Sequence, residues 1–299
     1  MIETRGLTKR FGPRLAVDDL TVTIQPGVVT AFLGPNGAGK STTLRLMLGL
    51  DRPTAGSVTV SGRAYAESPA PMREVGALLE ARAVHPRRTA RSHLRVLAAT
   101  HHIADRRVDY VLDLVGLTGV ANQRVKTFSL GMGQRLGIAV ALLGDPGILL
   151  LDEPINGLDP EGIRWIRNML TYLANEGRTV LVSSHLMSEV AMVAQRAIVI
   201  GRGRLIADAP VAELTTRGQQ LTVVRSPDPR LRDVITAAGI AIAGTEADAL
   251  TVAAPAAAVG EAAAAAGLIL HELTPVRSSL EDVFMQLTSE AVEYQGTAA

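Results

Sequence analysis

The chain has 299 residues, with 30 basic and 29 acidic side chains and no cysteine. Its length leaves room for one main domain and a smaller satellite, its formal charge of +1 offers no basic field for nucleic acid, and the lack of thiols excludes disulfides, thiolate metal sites and cysteine nucleophiles. A reducing, cytoplasmic setting fits: Met1-Ile2-Glu3-Thr4-Arg5-Gly6 opens no apolar leader, and the nearest candidate for a membrane span, residues 247–270, is interrupted by Pro255 and Glu261.

In chain order, residues 1–33 read as short strands and turns. Thr21-Val22-Thr23-Ile24 alternates, Pro26-Gly27 marks a turn, and residues 28–33 form a short apolar run rich in strand formers. Residues 42–50 carry Leu44, Met47 and Leu48 at helical spacing, residues 51–53 end that helix, and residues 56–62 form another bounded strand. From Thr89 the period becomes helical. One helix groups Leu94, Leu97 and Ala98; a second starts at Asp105, groups Val108, Val111, Leu112 and Val115, and stops at Gly116; a third begins near residues 131–133 and runs through Leu136, Val140 and Leu143. Together they predict a helical insert over about 87–144. Residues 148–151 and 179–182 are continuous apolar runs of the kind buried in parallel sheets, with a helix over 160–176 between them. Residues 198–200 and 204–207 follow as the last connectors, and residues 215–218 read as a linker, dividing the chain into domains 1–218 and 219–299. Past that point strands at 220–225, 240–243, 249–253 and 268–273 and helices at 229–238 and 256–266 give the order β-α-β-β-α-β, a ferredoxin-like arrangement, closed by a helix over 278–289 with Leu280, Val283, Phe284 and Leu287 inward.

Two stretches carry chemistry. Gly34-Pro35-Asn36-Gly37-Ala38-Gly39-Lys40-Ser41 fills every fixed position of the G-x-x-x-x-G-K-[ST] phosphate loop. Its glycines let backbone N–H groups face an anion, Lys40 reaches the β/γ-phosphates, and Ser41 is left to hold Mg²⁺. A strand before and a helix from Thr42 after put the phosphates at a helix N-terminus. The second stretch, Leu149-Leu150-Leu151-Asp152-Glu153-Pro154, is a buried strand ending in two carboxylates. Asp152 is expected beside the metal of Ser41, and Glu153 beside the nucleophilic water.

At this point the residues resemble the ATP-binding subunit of an ABC transporter, over about residues 1–218. The resemblance implies an α/β fold: a P-loop NTPase, ABC-type cassette with a mainly parallel sheet, a β-rich N-terminal part and a helical insert, joined to the small ferredoxin-like α+β C-terminal domain. Phe128-Ser129-Leu130-Gly131-Met132-Gly133-Gln134-Arg135 stands where the family has its LSGGQ signature, with Leu130 in place of a glycine and Met132 in place of the glutamine. Asn156-Gly157-Leu158-Asp159 resembles the D-loop, and His185 falls at the switch histidine that contacts the γ-phosphate. Phe11 matches the aromatic that stacks on adenine, the alternative being a small core residue. Glu80 stands where most members carry a glutamine and is similar to a subgroup of drug and antibiotic exporters; it either approaches Mg²⁺ or is a solvated loop residue. Ser279-Leu280-Glu281-Asp282-Val283-Phe284 looks like the closing motif of that subgroup's accessory domain, which implies a dimerisation or regulatory module.

The resemblance implies an ATPase that works as a homodimer. Lys40 and the loop N–H groups hold ATP, Ser41 and Asp152 hold Mg²⁺, Glu153 holds the attacking water, His185 contacts the γ-phosphate, and Ser129 and Gly131 of a second copy close the site. A membrane permease docked near residues 80–95 converts the cycle to export and holds the protein at the inner face of the membrane. An importer ATPase shares the cassette. A soluble ABC ATPase of DNA repair or translation calls for paired cassettes or a long coiled coil, and a metabolite kinase has no use for residues 129–134 or His185.

Overall fold

The structure, a computed structural model, describes residues 1–80, 84–184, 187–217, 221–246, 248–276 and 280–288. Its contacts divide it into two compact units, Met1–Ala209 and Pro210–Leu287. In the first unit, β1 (Ile2–Phe11), β2 (Arg14–Ile24) and β3 (Val29–Leu33) precede α1 (Lys40–Met47), β4 (Ala55–Val60), α2 (Pro71–Glu74) and β5 (Val75–Leu78). The helical insert follows as α3 (Ala90–Thr100), α4 (Asp105–Leu114) and α5 (Leu130–Leu142). The unit closes with β6 (Ile148–Asp152), α6 (Pro160–Asn175), β7 (Thr179–Ser183), α7 (Met187–Ala191), β8 (Arg196–Gly201) and β9 (Arg204–Pro210).

The N-terminal strands are longer than the sequence suggests, because β1 and β2 form one antiparallel hairpin that turns at Gly12 and Pro13, with Phe11 opposite Arg14. Gly12 takes φ +54° there, which a glycine adopts without strain. The hairpin and β4 make a three-stranded sheet, ordered β2-β1-β4. The larger sheet has the order β5-β6-β7-β3-β8-β9, and the β5–β6, β6–β7, β7–β3 and β3–β8 pairs are parallel. β3 and β7 are buried along their whole length, as continuous apolar runs require when a parallel sheet is covered on both faces. Phe32, Leu44, Met47, Leu150, Leu181 and Ile198 fill one core with residues of the small sheet. In register, Ser183 at the end of β7 lies opposite both Phe32 of β3 and Asp152 of β6. One strand therefore separates the phosphate loop from the two carboxylates.

Helix starts follow capping chemistry. Thr89, Ser129 and Asp159 precede α3, α5 and α6, and their side chains accept hydrogen bonds from the N–H groups of Ser92, Met132 and Gly162. α1 starts two residues before the expected Thr42, because Gly39 caps it in the left-handed region. It ends at Met47 rather than near residue 50, and Gly49 turns the chain at φ +64°. In α4 the expected face is confirmed: Val108, Val111 and Leu112 are fully buried, as is Val115, the residue that caps its end.

The second unit holds α8 (Val211–Arg217), β10 (Leu221–Arg225), α9 (Leu231–Ala237), β11 (Ile242–Glu246), β12 (Ala249–Val252), α10 (Ala256–Ala265), β13 (Glu272–Val276) and α11 (Leu280–Thr288). Residues 215–217, expected in a linker, are the end of α8, and the division falls at Ala209 and Pro210. Its sheet has the order β11-β12-β10-β13 with antiparallel pairings. The strand expected over 268–273 is displaced to β13. Gly267 donates to the Ala264 carbonyl and Leu268 to that of Ala263, the Schellman end of a helix. Leu268 thus seals α10 and joins the core of this unit, and pairing starts later, at Glu272 opposite Arg225. In α11, Leu280, Val283 and Phe284 are buried as expected. Among the described residues, no helix is long and apolar enough to cross a membrane.

Candidate functional site

The loop between β3 and α1 is shaped by glycines that no other residue can replace without movement. Gly34 is buried, and a Cβ there would come within 2.7 Å of the Ile200 carbonyl oxygen. Gly39 has φ +102°, and a Cβ there would run into the carbonyl oxygen of Ala16 on β2. Pro35, Asn36, Gly37, Ala38, Gly39, Lys40, Ser41 and Thr42 line a cleft of about 550 Å³, whose other walls are Phe11, Arg14, Ala16, Asp152 and Glu153.

Lys40 is 8% exposed and donates from Nζ to the carbonyl oxygens of Gly34 at 2.6 Å and Pro35 at 3.3 Å. Burial lowers its pKa below the ordinary value, and the charges of Glu153 and Asp152 oppose that shift. Ser41 donates from Oγ to Asp152 Oδ2 at 2.7 Å. The other oxygen of Asp152 accepts a hydrogen bond from the hydroxyl of Ser183, a fully buried residue. Glu153, the next residue, has φ +50°, an uncommon conformation for a residue with a Cβ. Its N–H donates to Ser183 Oγ at 3.1 Å, and its carbonyl accepts from Gln134 Nε2 at 2.9 Å. A glycine loop at the start of a helix, a desolvated ammonium, a hydroxyl and two carboxylates meet in one cleft, the donor set for a nucleoside triphosphate and a hard cation.

Phe11 is 49% exposed, so the reading of it as a core residue is wrong. Its ring lines the cleft, with Lys9 Nζ 4.8 Å from the centroid. Ser129, Gly131 and Asp159 are not among the residues lining this cleft. Ser129 and Asp159 serve as N-caps, and Gly131 packs close to residue 157, where a Cβ would lie 2.9 Å from the Gly157 carbonyl. Glu80 lines a different cleft of about 460 Å³, with Leu50, Tyr65, Leu79, Val84 and His93. His185 lies outside the described residues. Sequence reasoning missed Arg14, Ser183 and Gln134. Ser183 ends an apolar run and gives no signal without the β6–β7 register, and Gln134, beside Arg135 on α5, reads from sequence as one more polar residue until its 4% exposure shows a buried donor in need of an acceptor.

Compared with known proteins, residues 17–156 match the ABC transporter family and residues 219–281 match a domain of unknown function, DUF8746. The uncharacterized ABC transporter ATP-binding protein YhcH of Bacillus subtilis (strain 168) is 43% identical over 209 residues, covering 69% of this chain and 68% of that one. The bacitracin transport ATP-binding protein BcrA of Bacillus licheniformis is 39% identical over 223 residues, covering 74% and 73%. Among solved structures, the dimeric structure of MJ0796, a bacterial ABC transporter cassette, is similar at 25% identity and a TM-score of 0.65, covering 71% of this chain and 99% of that one. With the site geometry and these relatives agreeing, the chain belongs to the ATP-binding proteins of the ABC transporter family.

Proposed function

We propose that this ATPase powers export through a separate membrane permease, and that two copies close around ATP to do so. The observation that carries the chemical part is the 2.7 Å hydrogen bond from Ser41 to Asp152, which joins the end of the phosphate loop to the end of β6 across β7. The similarity to a bacitracin transport ATP-binding protein supports export, and the similarity to a dimeric cassette supports pairing.

Among the described residues no group of three or more His, Cys, Asp or Glu side chains is placed to hold a metal. The Ser41 hydroxyl and the Asp152 carboxylate are hard oxygen donors, a partial set that fits Mg²⁺ completed by phosphate oxygens and water. Bound there, Mg²⁺ supplies charge neutralisation at the β/γ-phosphates. Lys40 exchanges its two carbonyl partners for phosphate oxygens, and the N–H groups at the start of α1 face the same charge. Glu153 orients the attacking water and accepts its proton. His185 is assigned to the γ-phosphate, Phe11 to the adenine face, and Ser129, Gly131 and Asp159 to the nucleotide of the second copy, consistent with their absence from the cleft of their own chain. The cleft that holds Glu80 is assigned to the permease, which gives Glu80 a coupling role and keeps the protein at the cytoplasmic face of the membrane. The β-α-β-β-α-β order and antiparallel sheet of the second unit support a ferredoxin-like accessory domain, read as a dimerisation or regulatory module.

The test is ATP turnover in Lys40→Ala. Loss of turnover with an unchanged thermal transition is expected; turnover at the original rate contradicts the assignment.

A further inference from the structure

We propose that Gln134 is a positioning residue for ATP hydrolysis, which acts with Ser183 to hold the Glu153 backbone in the left-handed conformation that aims its carboxylate. This rests on the assignment of Glu153 to the attacking water. Glu153 at φ +50° occupies a region that costs a side-chain-bearing residue about 1–2 kcal/mol. Such a conformation persists only where its surroundings over-determine it, and it clusters at functional sites.

Both sides of the peptide are held. On the N–H side, Glu153 donates to Ser183 twice, to Oγ at 3.1 Å and to the carbonyl at 3.2 Å. On the C=O side, it accepts from Gln134 Nε2 at 2.9 Å and from the Asn156 N–H at 3.2 Å. The Gln134 bond is a tertiary tie between α5 and the end of β6. Gln134 is 4% exposed, so its amide cannot exchange this partner for water without opening the interface. Two further contacts hold α5 in place, one to the loop after β6 and one to α6 and the end of α4. Gly131 leaves space for the Gly157 carbonyl, and the Arg135 guanidinium lies 4.9 Å from the Trp165 ring while donating to the Val115 carbonyl at 3.0 Å. The helix that begins at Ser129 therefore carries the donor that sets Glu153. Without it, the Glu153 carbonyl loses its tie to α5 and keeps the local turn bond from Asn156, and the weaker hold lets the peptide relax toward an ordinary φ, which swings the carboxylate away.

The experiment compares Gln134→Met, which keeps the length and removes the donor, with the original protein and with Glu153→Gln. A displacement of about 1 Å at a reacting group costs on the order of 10²-fold, so kcat is expected to fall by about that factor while KM for ATP stays within about twofold. In the Glu153→Gln background the same change is expected to add no further loss, since the two act through one group. ATP-dependent dimerisation, read by light scattering, is expected to persist. A kcat within about twofold of the original, an additive loss in the double variant, or loss of the dimer overturns the proposal. Should Gln134→Met fail to fold, Gln134→Glu, which replaces the donor by a carboxylate, is read in the same assays against the same outcomes. Original turnover in Glu153→Gln removes the Glu153 assignment and this proposal together; full loss in Glu153→Gln with an unaffected Gln134→Met removes this proposal alone.

Discussion

Replacing Gly39 by alanine is expected to weaken nucleotide binding on the order of 10²-fold while leaving most of the fold intact. Gly39 caps α1 at φ +102°, and the left-handed side of the map costs an alanine about 1–2 kcal/mol. The larger effect is steric. The new Cβ would overlap the Ala16 carbonyl oxygen, a backbone atom of β2, and lie 3.6 Å from Val17 Cγ2. Leu15 and Val17, on either side of Ala16, pair with Arg10 and Lys9 in the β1–β2 hairpin, and Val17 is fully buried, so the loop is the part that yields. A shift of about 1 Å carries the first N–H groups of α1 and Lys40 off the phosphate positions, a displacement that costs on the order of 10²-fold. Titration with a fluorescent ATP analogue and thermal denaturation measure the two effects. Gly133→Ala is the control: it sits inside α5, nothing lies within 4 Å of its Cβ, and a helix-interior alanine is expected to gain about 0.5–1 kcal/mol of stability. Affinity within about twofold of the original and an unchanged transition in Gly39→Ala would refute the steric reasoning.

Phe11→Ala is expected to raise KM for ATP about fivefold with kcat unchanged, since an aromatic contact is worth about 0.5–1.5 kcal/mol; steady-state kinetics with ATP decide it. Asp152→Asn keeps the shape that Ser41 and Ser183 hold but weakens the cation site, so turnover is expected to need a higher Mg²⁺ concentration, read by Mg²⁺ titration at fixed ATP, and EDTA is expected to stop turnover in the original protein. The Asp51 carboxyl is held below its ordinary pKa by its hydrogen bond from Arg45. A depressed carboxyl stabilises the fold above its unfolded value near 3.8 and loses that contribution as pH falls through the folded value. Arg45→Ala is therefore expected to lower Tm slightly at pH 7, with the difference shrinking in acid; an equal difference at both pH values refutes the linkage.

The sequence made the phosphate loop, both apolar strands of the central sheet and the carboxylate pair legible because each is local: fixed glycines, a lysine and runs without polar interruption. The start of α1 was placed two residues late, because a left-handed glycine cap has no side-chain signature. The strand at β13 was placed early, because Leu268 and Leu270 are apolar for the sake of the α10 terminus and its core, and residue type alone does not separate a Schellman contact from a strand. Ser183 and Gln134 were invisible as site residues for a different reason. Their roles depend on which strand neighbours which, and on a helix crossing the end of β6, and both are properties of the sheet order. Phe11 is ambiguous from sequence, and its exposure at the hairpin tip removes the core reading.

The most direct test of the central claim is the mass of Glu153→Gln by light scattering with and without ATP. Retention of ATP without hydrolysis is expected to double the mass on adding ATP, in parallel with loss of phosphate release. A variant that still releases phosphate at the original rate, or that stays at the mass of a single chain in saturating ATP, contradicts a site closed by two copies in which Glu153 activates water.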